Sequence, residues 1–367
     1  MSLQLNGTDG VTFNDGSEQW AAASPIGTKN LIINGDMRIA QRGTSQASIT
    51  TSGYYTVDRF LLTGGNSAGT WTQTQSTDVP TGQGFANSLK MQCTTANASL
   101  GSTAFFFIRQ RIEAQNLQHI KKGTSSAESL TYSFWVKSNK TGTYIAEIFD
   151  DDNVRQISKS YTIDTADTWE KKTITFVGDT SGVLPNDNGS GFSVGMWLVA
   201  GSDYTSNGTL NTSWASTNVP QRAVGQVNLA DSTSNYINIT GVQLEVGDTA
   251  TPFEVMPYDM ELQRCKRYYY TTYPIGVAPG TVGAYACQAE YAPPYNGNHV
   301  ATWQHPVSMR AAPTMTGYAE DGTSGSFTTG AGNQTAQFYQ TTSAVISPFA
   351  SFNGTYLKLL FTASAEL

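Results

Sequence analysis

Charge is what this sequence has least of. Asp, Glu, Lys and Arg together make up 13% of its 367 residues, about half the share usual in soluble domains. Its polarity comes instead from Thr, Ser, Asn, Gln and Gly, whose short side chains compete for the backbone or cost helix entropy, a mix that disfavours long helices. Histidine is scarcer still: His119, His299 and His305 are the three present. His299 and His305 flank Trp303 without a nearby carboxylate, and a metal centre needs three or four converging ligands. No H-E-x-x-H or nucleotide-binding loop occurs, so no catalytic residue is nominated and the chain is read as not an enzyme. The three cysteines, Cys93, Cys265 and Cys287, are widely spaced and include no C-x-x-C pair, which argues against a disulfide framework or a thiolate zinc site. There is no basic region leading into an apolar run at the start, and no stretch of the ~18 apolar residues a membrane span needs. Synthesis in a reducing cytoplasm without membrane insertion is the expectation. A net charge of −7 provides no field for phosphate backbones, and the basic cluster Arg264-Cys265-Lys266-Arg267 is short, so nucleic acid is not an expected partner.

What is present is strand chemistry. Thr, Tyr, Phe, Val and Ile suit a pleated, half-buried surface. Strands are expected over 30–37, 58–63, 70–75, 88–93, 130–138, 143–149, 158–163, 169–177, 192–199 and 236–245. In 130–138 the alternation places Tyr132, Phe134 and Val136 on one face. Helical turns are expected over 112–120, ahead of Gly123, and over 258–270, where acids come first and bases last as the helix dipole favours. Residues 355–362 are apolar enough for a central strand. The fold class is therefore all-β: a jelly-roll sandwich over 29–256 and a smaller C-terminal β domain over 257–367 that opens with a short helix. Residues 1–28 form a separate anchoring segment and linker. Asn6-Gly7, Asp9-Gly10 and Asp15-Gly16 are hairpin signals, and a hairpin this short needs a partner to bury its apolar face.

Two groups of residues are candidate sites. Asp150-Asp151-Asp152-Asn153 reads first as a solvated turn; its clustered carboxylates also suit calcium. Among the aromatics, Trp135 and Trp197 sit in apolar strands and are assigned to the core. Trp214, near Asn211, and Tyr204, beside Asp203, lie in polar loops. A flat ring among amides and hydroxyls suits a sugar, whose apolar face stacks while side-chain dipoles meet its hydroxyls. The alternative is a loop tip folded on its own domain or on a neighbouring subunit.

The segment Asn30-Leu31-Ile32-Ile33-Asn34-Gly35-Asp36-Met37-Arg38-Ile39-Ala40-Gln41-Arg42-Gly43-Thr44, followed by Tyr55-Thr56-Val57-Asp58-Arg59-Phe60, resembles the opening of a family of bacteriophage tail-fibre and receptor-binding proteins, with Met37, Ala40 and Phe60 replacing its aromatics. Ser133–Lys137, Trp169–Phe176 and Ile239–Gly247 look like successive strands of a carbohydrate-binding-module-like jelly roll. Glu261–Tyr269 resembles the L-x-R-C-x-R-Y-[YF] stretch that follows this module, Pro306–Thr314 resembles P-V-x-M-R-x-x-P-T, and Ala363–Leu367 is similar to the family's ending. Gly10–Ser17 resembles a stretch near the start of phage structural proteins. The resemblance implies a virion component made in the host cytoplasm, commonly a homotrimer, that attaches the virion to host surface polysaccharide by multivalent non-catalytic binding. Leu5, Val11 and Phe13 would attach it to a phage tail or adaptor protein. The alternative is a purely structural virion protein, a head fibre or decoration protein without receptor binding.

Overall fold

The computed structural model describes residues 11–12, 18–19, 29–283, 288–290, 298–339, 341–351 and 356–367. Leu5 and Phe13 lie outside the described residues, and Val11 falls in the strand Val11–Thr12, paired antiparallel with Glu18–Gln19.

Two antiparallel sheets enclose the main core. In spatial order one contains Ala215–Ser216, Arg155–Ile163, Gly142–Asp150, Ser190–Ala200, Phe105–Glu113, Leu61–Gly65 and Gly53–Tyr54. The other contains Glu170–Phe176, Leu130–Ser138, Tyr236–Val246, Ser88–Thr95, Thr70–Ser76 and Ser45–Ile49. The chain passes repeatedly from one sheet to the other, which is the jelly-roll arrangement. Alternation decides what faces inward. Tyr132, Phe134 and Val136 join the core with Trp71, Phe106, Phe176, Phe192 and Ile239. Ser133, Trp135 and Lys137 therefore point to the other side of the sheet, and Trp135 is half-buried there rather than part of the core.

Three expected elements differ. Residues 30–37 form no strand; they are a series of buried bends. Asn34 and Met37 both sit at φ 61°, and side chains take the place of a neighbouring strand: the Ile33 N–H donates to Gln110 Oε1 at 2.7 Å, and the Asn34 amide clamps the Ile39 peptide. The expected helical turn over 112–120 is a 3-10 helix, Ala114–Ile120, preceded by the nine-residue strand Phe105–Glu113. Finally, the second helix covers Tyr258–Lys266 and gives way to the strand Tyr269–Thr271.

A second apolar cluster, including Phe327, Ile346, Leu357, Leu359 and Phe361, lies in the C-terminal β region. Its hub is Leu357–Ser364, which pairs with Tyr269–Thr271, Gln288–Glu290, Thr314–Tyr318 and Ser326–Thr329. Cys93 and Cys265 are buried and free; Cys287 lies outside the described residues.

Buried charge forms the seam between this region and the sandwich. Glu366 is paired with Arg59 and with Arg42, the latter at 3.1 Å. The Arg59 guanidinium lies 3.4 Å from the Tyr268 ring centroid, and that of Arg42 lies 3.5 Å from the Tyr269 centroid. Gln41 bonds the Asp58 carboxylate and the Tyr269 carbonyl. Arg267 makes a two-pronged contact with Glu113, at 2.8 and 2.7 Å.

Burial, partly offset by Arg42 and by hydrogen bonds from Gln41, pushes the Asp58 carboxyl up to about 6. The folded chain then holds this proton to higher pH than the unfolded chain does. The group's stabilisation is full below about pH 4, falls as pH rises to 6, and amounts to on the order of 2–3 kcal/mol. Melting temperature followed from pH 4 to 7 should show this fall, and Asp58→Asn should flatten it.

Candidate ligand-binding site

The outward face of the six-stranded sheet carries rows set by register. Lys171, Trp135 and Thr240 are cross-strand neighbours, and Lys137 and Asn238 form the next pair. At Gly241 the ladder has a bulge and φ is +60°. A Cβ there would lie 2.6 Å from the Phe85 ring, so only glycine lets this ring settle on the sheet. Phe85 meets Phe253 edge-on, with centroids 5.2 Å apart.

Between these rings and the sheet runs a groove of about 680 Å³. Trp135, Ser133 and Gly241 form its floor, and the segments around Phe85 and 249–253 form its walls. The second wall is fixed from behind. Glu245 accepts from the Thr251 N–H at 2.9 Å and from its hydroxyl at 2.6 Å, while Gln243 Oε1 accepts from the Glu254 N–H at 2.8 Å. Asp36 and Arg38 contribute an ion pair to the lining, and Lys171 stands beside Trp135. Burial raises the Asp36 carboxyl, partly offset by the Arg38 guanidinium.

Five of the six described tryptophans have a ring or cation against them. Trp71 stacks on Phe106, Trp197 on Phe107 and Trp214 on Phe192; Trp303 meets Phe361 edge-on, and Lys137 covers Trp169. Trp135 has neither among the described residues, and it lines a groove. The signal that could have found it was the phase of its own strand.

The residues nominated from sequence as a sugar platform do not come together. Trp214 is half-buried on Phe192, and its Nε1 donates to the Val177 carbonyl at 2.7 Å. Tyr204 packs on Phe105 and Trp197 in a cluster separate from the main core. Because Phe192 belongs to the main core and Trp197 to that second cluster, the two rings serve opposite faces of one sheet. Asn211 closes the sheet edge, its carbonyl accepting from the Ser158 N–H at 2.8 Å. Asp203 is exposed in the one-turn helix Ser202–Thr205. The loop-tip alternative describes these aromatics, since partners distant in sequence cover them.

Residues 150–153 lead into a turn, the reading placed first for them, and their carboxylates are engaged from within the chain. The Lys122 ammonium lies 2.6 Å from Asp150 and 3.2 Å from Asp179, so a side-chain cation already stands beside the carboxylate. Asp150 further accepts from the Asp152 and Asn153 N–H groups, and Asp151 accepts from Ser190 and Ser193. Asp152 is exposed. Among the described residues no group of three or more His, Cys, Asp or Glu is arranged to hold a metal. His305 is tied to the Tyr270 hydroxyl at 2.8 Å.

No family model and no curated relative matches the chain. Solved structures similar to it include the enzymatically active domain of bacteriophage CBA120 tailspike protein 4, at 15% identity and TM-score 0.30 over 59% of this chain. That match spans 21% of the tailspike chain. The C-terminal family 22 carbohydrate-binding module of Clostridium thermocellum Xyn10B is 13% identical, with TM-score 0.29 over 57% of this chain and 98% of its own. The family 11 carbohydrate-binding module from Clostridium thermocellum, in complex with a beta-1,3-1,4-mixed-linked tetrasaccharide, is 13% identical, with TM-score 0.26 over 57% and 99% of the two chains. Likenesses this loose carry no functional argument.

Trp214→Ala should lower stability by about 1–3 kcal/mol, less than for a fully buried ring because this one is half-buried. Chemical denaturation checks this.

Proposed function

We propose that this chain binds a glycan in the Trp135 groove without cleaving it, as a virion receptor-binding or tail-fibre protein. The observation that carries the glycan reading is Trp135, half-buried at the floor of a preformed groove with no ring or cation against it among the described residues. A pyranose presents an apolar face for such an indole, and Ser133, Gln83, Thr249 and Thr251 supply dipoles for its hydroxyls. Binding without hydrolysis is supported by the lining: its one carboxylate, Asp36, is paired with Arg38, whereas glycoside cleavage ordinarily uses two opposed carboxyl groups.

The virion assignment is supported by the collinear motifs resembling phage fibres. In this reading residues 1–28, with Leu5, Val11 and Phe13, attach the chain to a tail or adaptor protein. Several copies in a homotrimer multiply weak contacts with host polysaccharide. The purely structural alternative is favoured by one observation: Gln41, Arg42, Arg59, Arg267 and Glu366, all within the resembling segments, serve the seam rather than the groove.

Glycan-array and host-cell binding by the purified protein tests both readings. Trp135→Ala should weaken binding about tenfold or more, corresponding to ~1.4 kcal/mol, with the melting temperature nearly unchanged. A folded oligomer that binds neither glycans nor host cells would leave the structural reading standing.

A further inference from the structure

A second cavity, of about 540 Å³, opens where the sandwich meets the helix Tyr258–Lys266. It exists because of a mismatch in strand length. The pairing of Phe105–Glu113 with Leu61–Gly65 ends at Arg109, while its pairing with Ser190–Ala200 continues to Glu113. Residues 110–113 thus have a ladder partner on one side only. Leu31 and Ile33 approach the open side from the bent segment, and Arg264, Arg267 and Tyr268 approach it from the helix end.

The charges in this lining do not balance. Arg267 is matched by Glu113 through two bonds. Arg264 is matched by Glu261 at 3.4 Å and also donates to the Asn30 carbonyl. Arg111 also lines the cavity, and its Nε is buried with no hydrogen-bond partner among the described residues. No carboxylate pairs with its guanidinium among the described residues, while its own carbonyl is taken by Arg59 at 2.7 Å. The neighbouring His119 adds no negative charge.

A buried donor on a cation, left without an acceptor, forfeits its hydration with nothing in return. The guanidinium fork is shaped to grip a planar or tetrahedral oxyanion through two parallel bonds. The volume lies in the usual range for small-molecule sites, and Leu31 and Ile112 offer an apolar wall for the body of a ligand. We infer that this cavity is a binding site for a small oxyanionic solute, whose carboxylate or phosphate is received by Arg111. The site is separate from the Trp135 groove and does not depend on it.

Thermal melting of the full chain, titrated with inorganic phosphate, with glucuronate or with glucose at constant ionic strength, tests this. A ligand that binds only the folded chain raises its melting temperature in proportion to saturation. The melting temperature should rise with at least one anion and not with glucose. Response to phosphate alone assigns a phosphate site, and response to glucuronate alone assigns a carboxylate site. Arg111→Gln should abolish the rise, whatever it does to the melting temperature without ligand, and Trp135→Ala should leave the rise intact. Arg111→Lys, which keeps the charge but loses the fork, should move the titration midpoint several-fold higher, and it serves as the test if the Gln variant does not fold. No response of the wild-type chain to either anion overturns the inference. So does an equal response in whichever Arg111 variant folds.

Discussion

The Glu366 carboxylate is held between two guanidinium groups, those of Arg42 and Arg59, and each of these lies flat on a tyrosine ring. A buried carboxylate in this position is strongly destabilising if either cation is removed, because the remaining charges lose their partners in a poorly solvated place. The arrangement therefore requires its parts to be present together. Tyr268 and Tyr269 connect the helix Tyr258–Lys266 to the strand Tyr269–Thr271, which pairs with the C-terminal hub strand. Arg310 holds the carbonyls of Ala365 and Glu366 at 2.7 and 3.0 Å, fixing the chain that carries the carboxylate.

The groove is linked to the same construction. The bent segment that supplies Arg42 begins with Lys29 and Asn30, whose backbone N–H groups both donate to Glu254. It continues through Arg38, which reaches the Met256 carbonyl at 2.8 Å. Glu254 and Met256 directly follow the wall containing Phe253. A shift at the seam would therefore reach the groove through two short stretches of backbone, and the positions of Phe253 and the Asp36–Arg38 pair depend on residues far from any ligand.

These connections explain what the sequence reveals. Strands such as Leu130–Ser138 and Glu170–Phe176 were legible because one buried face imposes a period of two. The outward position of Trp135 was legible on the same ground, since Tyr132, Phe134 and Val136 already claim the inner face; its apolar neighbours misdirected the assignment. Phe105-Phe106-Phe107-Ile108 hid a strand because continuous apolar runs lack a visible phase. Residues 30–37 resembled a strand in composition, yet their backbone N–H groups find acceptors on side chains such as Gln110 and Glu261, and no local pattern announces such partners. Polar neighbours made Trp214 and Tyr204 look exposed, but burial was decided by Phe192 and Trp197. The groove walls were illegible for a related reason: Phe85 and Phe253 meet only because Gly241, remote from both, leaves room.

The scarcity of charge has a consequence for recognition. Much of the charge in the described structure is tied into internal pairs: Lys122 with Asp150 and Asp179, Arg222 with Glu147, Arg267 with Glu113, and the Glu366 group. These hold the architecture together and present little field to the outside. The groove accordingly presents an indole face, two phenyl rings and neutral dipoles beside the internally matched Asp36–Arg38 pair and Lys171. A surface working this way suits a ligand rich in hydroxyls and poor in charge. Against that economy Arg111 stands out: it lines a cavity, its Nε is buried without a hydrogen-bond partner, and no carboxylate pairs with it among the described residues.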